Sequence, residues 1–199
     1  MIEPPGSRRF LIITSCKASD GNFNLNDLPG SGDRMDVLAD AVVSALLISN
    51  GIRRDTSIAI CFVAGEGSGR CLLFSGKSIR YLNPDERSTA ALIRHALLRS
   101  PKSLEGEAGP GIYFFTAGLR EAIERLSDGS EIYYLSEKGE RANSLVQPAL
   151  FVLGDARGPN REQEDFLSQF KEISISPTVL MSSQCITVTH WILDNNYPQ

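Results

Sequence analysis

A mostly parallel α/β sheet with helices on both faces is the fold the sequence predicts. Short apolar runs of strand length alternate with stretches whose apolar residues recur every three or four positions, and glycine or proline clusters separate them. The 199 residues are expected to form one domain spanning 1–199, with apolar (42%) and charged (22%) shares close to the soluble globular average.

Residues 9–14 (RFLIIT) read as the first strand, and the Gly- and Asn-rich stretch 19–32 as a loop containing Asp27-Leu28-Pro29-Gly30. From Arg34 onward, Met35, Leu38, Val42, Ala45 and Leu46 predict a helix stopped by Gly51, with Asp36, Asp40 and Ser44 on its opposite face. Residues 57–64 (SIAICFVA) and 71–75 (CLLFS) predict a hairpin joined by the glycine-rich stretch 65–70. A second helix opens at Pro84-Asp85-Glu86, carries Ala91, Leu92, Ala96 and Leu97, and ends near Ser100-Pro101.

Residues 103–111 read as a linker. Strand, helix and strand follow at 112–115, 119–126 and 132–135, then a strand at 149–153, an acid-rich helix at 161–171 and a short strand at 173–175. Propensity leaves 182–195 open between strand and helix, because the β-branched run Ile186, Thr187, Val188, Thr189 favours a strand.

No apolar run approaches the roughly 20 residues of a membrane span, and residues 1–9 lack a signal-peptide pattern. Cys16, Cys61, Cys71 and Cys185 form no CxxC pair, and three of them sit within or beside apolar runs, as reduced core thiols of a cytoplasmic protein do. The net charge of -4 argues against a general polyanion binder, so nucleic-acid contact would come from clustered arginines. Arg53-Arg54-Asp55 is one such basic tip: by default a solvated turn, but two exposed guanidinium forks also suit phosphate.

The stretch 65–70 (GEGSGR) lacks the lysine and Ser or Thr of a phosphate loop, and reads as a hairpin turn. His95 and His190 read as structural. A Cys185–His190 dyad is disfavoured, since five residues turn a helix by about 500°. Two histidines and scattered cysteines offer no metal site. Three strand ends draw more attention: Tyr134-Leu135-Ser136, Val152-Leu153-Gly154-Asp155 and Ile173-Ser174-Ile175-Ser176-Pro177. Ligands of open α/β sheets bind beyond the carboxyl ends of the strands, and Gly154 would let a flat heterocycle approach the backbone. Ordinary strand-to-helix turns are the alternative.

Further blocks join these in order: Asp27-Leu28-Pro29-Gly30-Ser31 with Arg34-Met35-Asp36, Ile52-Arg53-Arg54-Asp55, Pro84-Asp85-Glu86-Arg87, and Pro110-Gly111-Ile112-Tyr113. With Ile132-Tyr133-Tyr134-Leu135, Gly154-Asp155, the run from Ile173 to Pro177, and Cys185-Ile186-Thr187, they resemble the archaeal tRNA pseudouridine-54 N1-methyltransferases of the SPOUT superfamily. The resemblance covers nearly the whole chain. It implies a C-terminal deep trefoil knot ending in a helix over 182–195, a homodimer, S-adenosylmethionine as cofactor and tRNA as partner, with no metal and no membrane.

Carried over residue by residue, the resemblance implies a cofactor pocket of Leu135, Gly154, Ile175, Ser176, Pro177, Thr178, Val179, Leu180 and Cys185, the cysteine packing and not attacking. Arg34, Arg53 and Arg54 are expected to hold RNA, and Asp36 to act as a base or an orienting acceptor. The chain departs from the family at Phe114, Phe115 and Thr116, where basic residues are frequent, and at Ser183-Gln184, where a histidine is common. A knotted RNA-binding or assembly protein without turnover, and a methyltransferase acting on a ribosomal pseudouridine, are the competing expectations.

Overall fold

The computed structural model describes residues 6–63, 69–100 and 104–195, so most of the glycine-rich stretch 65–70, the amino-terminal residues 1–5 and Pro101 lie outside the described residues. The chain runs β1 (Arg8–Thr14), α1 (Met35–Leu46), β2 (Leu47–Ile48), β3 (Gly51–Ile52), β4 (Thr56–Phe62), β5 (Gly69–Ser75) and α2 (Glu86–Arg99). It continues through β6 (Glu105–Gly109), β7 (Ile112–Ala117), α3 (Leu119–Ser127), β8 (Glu131–Arg141), β9 (Ala149–Gly154), α4 (Arg161–Leu167), β10 (Lys171–Ser174) and α5 (Ser182–Asn195).

Among the described residues, one sheet has the strand order β10-β8-β9-β1-β4-β5-β7-β6. The pairs from β10 to β4 are parallel and those from β4 to β6 antiparallel, so the predicted hairpin strands β4 and β5 do pair antiparallel. Strand β1 is buried along its whole length, as a central strand covered on both faces must be. Its alternation divides the core. Phe10 and Ile12 join Met35, Leu38, Ile93 and Leu193 in the layer under α1, α2 and α5. Leu11 and Ile13 join Ala122, Ile123 and Leu167 in the layer under α3 and α4.

Several expectations are corrected. Helix α1 ends at Leu46, ahead of Gly51, because Leu47 turns extended (φ -88°, ψ 140°) and pairs with Ile52 in a small antiparallel ribbon. The supposed linker at 103–111 contains the edge strand β6, whose Glu and Gly content disguised it. Helix α4 stops at Leu167, and Lys171 already opens β10. Cys61 and Cys71 face each other across β4 and β5 and form a disulfide, against the expectation of reduced core thiols; Cys16 and Cys185 are free. Residues 182–195 are helical, because burying Ile186, Ile192 and Leu193 outweighs the strand preference of the β-branched run.

An ion cluster built on the buried Arg8 pins that last helix. Arg8 opens β1 almost without solvent contact, and its guanidinium meets Asp194 at 2.5 Å and Asp55 at 3.2 Å. Arg53 reaches Asp194 from the other side at 2.8 Å. Removing one partner of a buried pair strands a desolvated charge, and this costs more than the pair itself contributes. Asp194 is partly exposed and Arg8 keeps Asp55, so Asp194→Asn should cost about 2 kcal/mol, read as a lower urea midpoint at pH 7. An unchanged midpoint would show that Asp55 alone suffices.

Candidate active site

The carboxyl ends of β8, β9 and β10 open into a cavity of about 600 Å³, within the roughly 300–1,000 Å³ usual for small-molecule sites. Three connections wall it. The first is a bow in β8: β10 pairs with Tyr133 and Tyr134, then jumps to Glu140 and Arg141, freeing the stretch between to line the cavity with Leu135 and Lys138. Gly139 permits the crossing, since a Cβ there would stand 2.5 Å from the Ile173 nitrogen.

The second wall is the turn at 154–159. The Asp155 amide donates to the Ile13 carbonyl (3.0 Å), and its carboxylate accepts from the Thr14 hydroxyl (2.5 Å) and the Arg157 amide (2.8 Å). The turn folds back so tightly that a Cβ on Gly154 would lie 2.7 Å from Gly158 Cα and 2.8 Å from Pro159 Cδ.

The third wall runs from 175 to 185. The Ser176 hydroxyl accepts from the Thr178 amide (3.1 Å), and the Gln184 side chain accepts from the Met181 amide (2.9 Å) at the start of α5. The Ser182 hydroxyl donates to the Gly154 carbonyl (2.8 Å), which ties the second and third walls together.

Of the residues expected in a cofactor pocket, Leu135, Gly154, Ile175, Ser176, Thr178, Val179, Leu180 and Cys185 line this cavity, and Pro177 does not. Burial pushes the Cys185 thiol above its ordinary value, and its sulfur lies 3.8 Å from the Leu180 carbonyl. His190 is occupied elsewhere, with Nε2 3.0 Å from the Ala45 carbonyl, so the structure forms no Cys185–His190 dyad.

Arg34 stands exposed at the rim with a left-handed backbone (φ 72°). Its Nε and Nη2 grip both oxygens of Asp36 at 2.9 to 3.2 Å; Asp36 itself lies beside the cavity, outside its lining. Arg53 and Arg54 precede β4, at the opposite pole of the sheet. Arg53 is committed to Asp194, and Arg54 donates to the carbonyls of Gly76 and Lys77.

Tyr134, singled out at a strand end, also lines the cavity, whereas sequence reasoning missed Lys138, Arg157, Glu164 and Met181. Arg157 is ion-paired with Asp33, whose other oxygen accepts from the Lys17 amide, so one carboxylate links the loops after β1 and β9. That amide first, then Arg157, hold the Asp33 carboxyl below its ordinary value. Burial, reinforced by the charge of Glu164, lifts the Tyr134 phenol to about 12. Among the described residues, no cluster of His, Cys, Asp and Glu could hold a metal ion, and no helix is long and apolar enough to cross a membrane.

The model of the family described as "Putative SAM-dependent RNA methyltransferase" matches residues 7–197. A Methanosarcina mazei protein named tRNA (pseudouridine(54)-N(1))-methyltransferase is 38% identical over 192 residues, covering 94% of this chain and 90% of that one. Its namesake from Methanococcoides burtonii is 34% identical over 195 residues, covering 95% and 96%. Among solved structures, Archaeoglobus fulgidus Nep1 bound to S-adenosylhomocysteine superposes with a TM-score of 0.61 at 14% identity, over 95% of this chain and 98% of that one.

Proposed function

The chain belongs to the family of SAM-dependent RNA methyltransferases, and from that premise we propose that it methylates N1 of pseudouridine 54 in tRNA with S-adenosylmethionine as donor. The observation that carries this reading is the cavity at the strand ends, whose walls are main-chain turns. Backbone groups along those turns suit the polar edge of an adenine ring, and Leu135, Leu153, Ile175 and Leu180 suit its faces. The archaeal relatives carry this activity in their names, and Nep1 of Archaeoglobus fulgidus holds S-adenosylhomocysteine. S-adenosylmethionine supplies a methyl group already made electrophilic by its sulfonium.

What remains for the chain is placement. Pseudouridine is joined to ribose through carbon, which leaves N1 as an imide-like N–H. Holding that nitrogen in line at near-attack distance can supply several kcal/mol, up to about 7–11 in well-oriented systems. Arg34 at the rim is read as the contact to the extruded nucleotide or its phosphate. Both oxygens of Asp36 already accept from Arg34, which supports an orienting role for Asp36 over that of a base. The protein is further read as a single methyltransferase domain acting as a cytoplasmic homodimer with a knotted C-terminus. Supports for this are the family and the exposed Trp191 on α5.

Purified protein incubated with labelled methyl donor should label tRNA carrying pseudouridine at position 54, and should not label the same tRNA with uridine there. Labelling of ribosomal RNA alone would select one competing reading. Binding of tRNA without any labelling would select the other, an RNA-binding protein without turnover.

A further inference from the structure

One residue outside the cavity is strained with no gain in burial of its own side chain. Tyr81 has φ 65°, in the left-handed region that bulky side chains avoid, yet 74% of the residue is exposed, so the strain does not serve to bury its ring. The turn around it is over-determined. Ile79 and Leu82 are buried on either side, and the Ile79 amide donates to the Ser75 carbonyl (2.8 Å). Gly111, itself at φ +72°, backs the turn so closely that a Cβ there would stand 2.2 Å from the Ile79 nitrogen. On the far side, Thr89 donates to the Asn83 carbonyl (3.2 Å), and the Asp85 side chain caps α2 by accepting from the Ser88 amide (2.8 Å). Strain held this way by its surroundings tends to mark a ligand contact.

The surroundings indicate which ligand. Arg80 and Arg87 are exposed along the same segment, and Arg54, also exposed, donates to the Gly76 carbonyl at its start. A rigid aromatic face among guanidinium groups is how single-stranded nucleic acid is held: the ring stacks on a base, and the cations meet the flanking phosphates. Resting on the RNA-methyltransferase reading, we infer that the 79–82 turn holds out Tyr81 as a stacking platform for an unpaired base of the RNA substrate, with Arg80 contacting an adjacent phosphate. The turn lies at the carboxyl end of β5, the pole of the sheet away from the cavity. Seven-residue parallel strands separate the two, about 23 Å at 3.3 Å per residue. This contact therefore grips RNA at a distance from the reacting base.

The test uses full-length protein and pseudouridine-containing tRNA in three variants. Tyr81→Phe keeps the ring and should bind within twofold of the parent. Tyr81→Leu and Tyr81→Gly remove it and should bind about tenfold more weakly. Glycine is at ease at positive φ, so Tyr81→Gly should melt no lower than the parent while losing RNA affinity, a combination a merely structural tyrosine would not give. Arg80→Ala should reduce the salt slope of binding by about one. Parent-like affinity in Tyr81→Gly, a Phe variant as weak as the Leu variant, or an unchanged salt slope in Arg80→Ala would each overturn the inference. Failure here leaves methyl transfer by the parent intact, whereas failure of the functional reading removes it.

Discussion

Replacing Gly154 with leucine is expected to weaken S-adenosylmethionine binding about a hundredfold by calorimetry, with the protein still folded. A side chain at 154 meets backbone: Gly158 Cα at 2.7 Å and the Pro159 ring at 2.8 Å. Neither atom can rotate aside, so the 154–159 turn itself must move. The Gly154 carbonyl also receives the Ser182 hydroxyl, and displacement of the turn is passed to the wall at 175–185. Two of the three walls are thus reshaped by one substitution. Overpacking of this kind costs about 1–3 kcal/mol of stability, enough to lower a midpoint while leaving far-ultraviolet dichroism native. Gly154→Ala, which adds the clash without further bulk, should lose about tenfold, and it carries the test if the leucine variant does not fold. Undiminished affinity in both would remove Gly154 from the binding site.

The second large effect is acid lability centred on His190. The residue is 3% exposed and its ring packs edge-on against Phe10 at 5.1 Å. Burial first, then the charge of Arg53, bring its imidazole down from 6.5 to about 4, against the opposing hydrogen bond to Ala45. The unfolded chain therefore takes up the proton at higher pH than the folded one. Stability is complete above about pH 6.5 and falls as the pH drops toward about 4, by up to about 3 kcal/mol.

Burial works against the charged form of Asp194, but hydrogen bonds from Arg53 and Arg8 outweigh it and lower its carboxyl. That contribution is lost only at lower pH, beneath the histidine window. Burial lifts Asp40, and the charge of Asp40 lifts Glu86; both shifts act in the opposite sense. Comparison with His190→Gln isolates the ring, because glutamine can still donate to Ala45. Urea midpoints at pH 7 and 4.5 should separate strongly for the parent and much less for the variant, and parallel shifts would refute the linkage.

The buried core of the sheet could be read from the chain because β1 and β4 contain the apolar runs 10–13 and 58–62 and are covered on both faces. Helix α5 could not be read from propensity, since Thr187, Val188 and Thr189 favour a strand in isolation, and what holds the segment helical is the burial of Ile186, Thr189, Ile192 and Leu193. Strand β6 was hidden for a related reason: it is an edge, paired on one side, and needs no apolar run. The strand-end walls were legible because ligands gather there in open sheets, and Gly154 marked one of them. Arg157 and Glu164 enter the cavity from a turn and a helix, whose aim depends on tertiary packing that spacing does not encode. The commitment of Arg53 to Asp194 joins residues 141 positions apart and leaves no local signature.

Helix α5 is at once a side of the binding chamber, through Ser182 and Cys185, and the piece fastened to the opening of the first strand through Asp194. One element therefore serves two poles of the sheet, so a substitution that loosens Asp194 from Arg8 is felt at the far end of the same helix, where Ser182 meets Gly154.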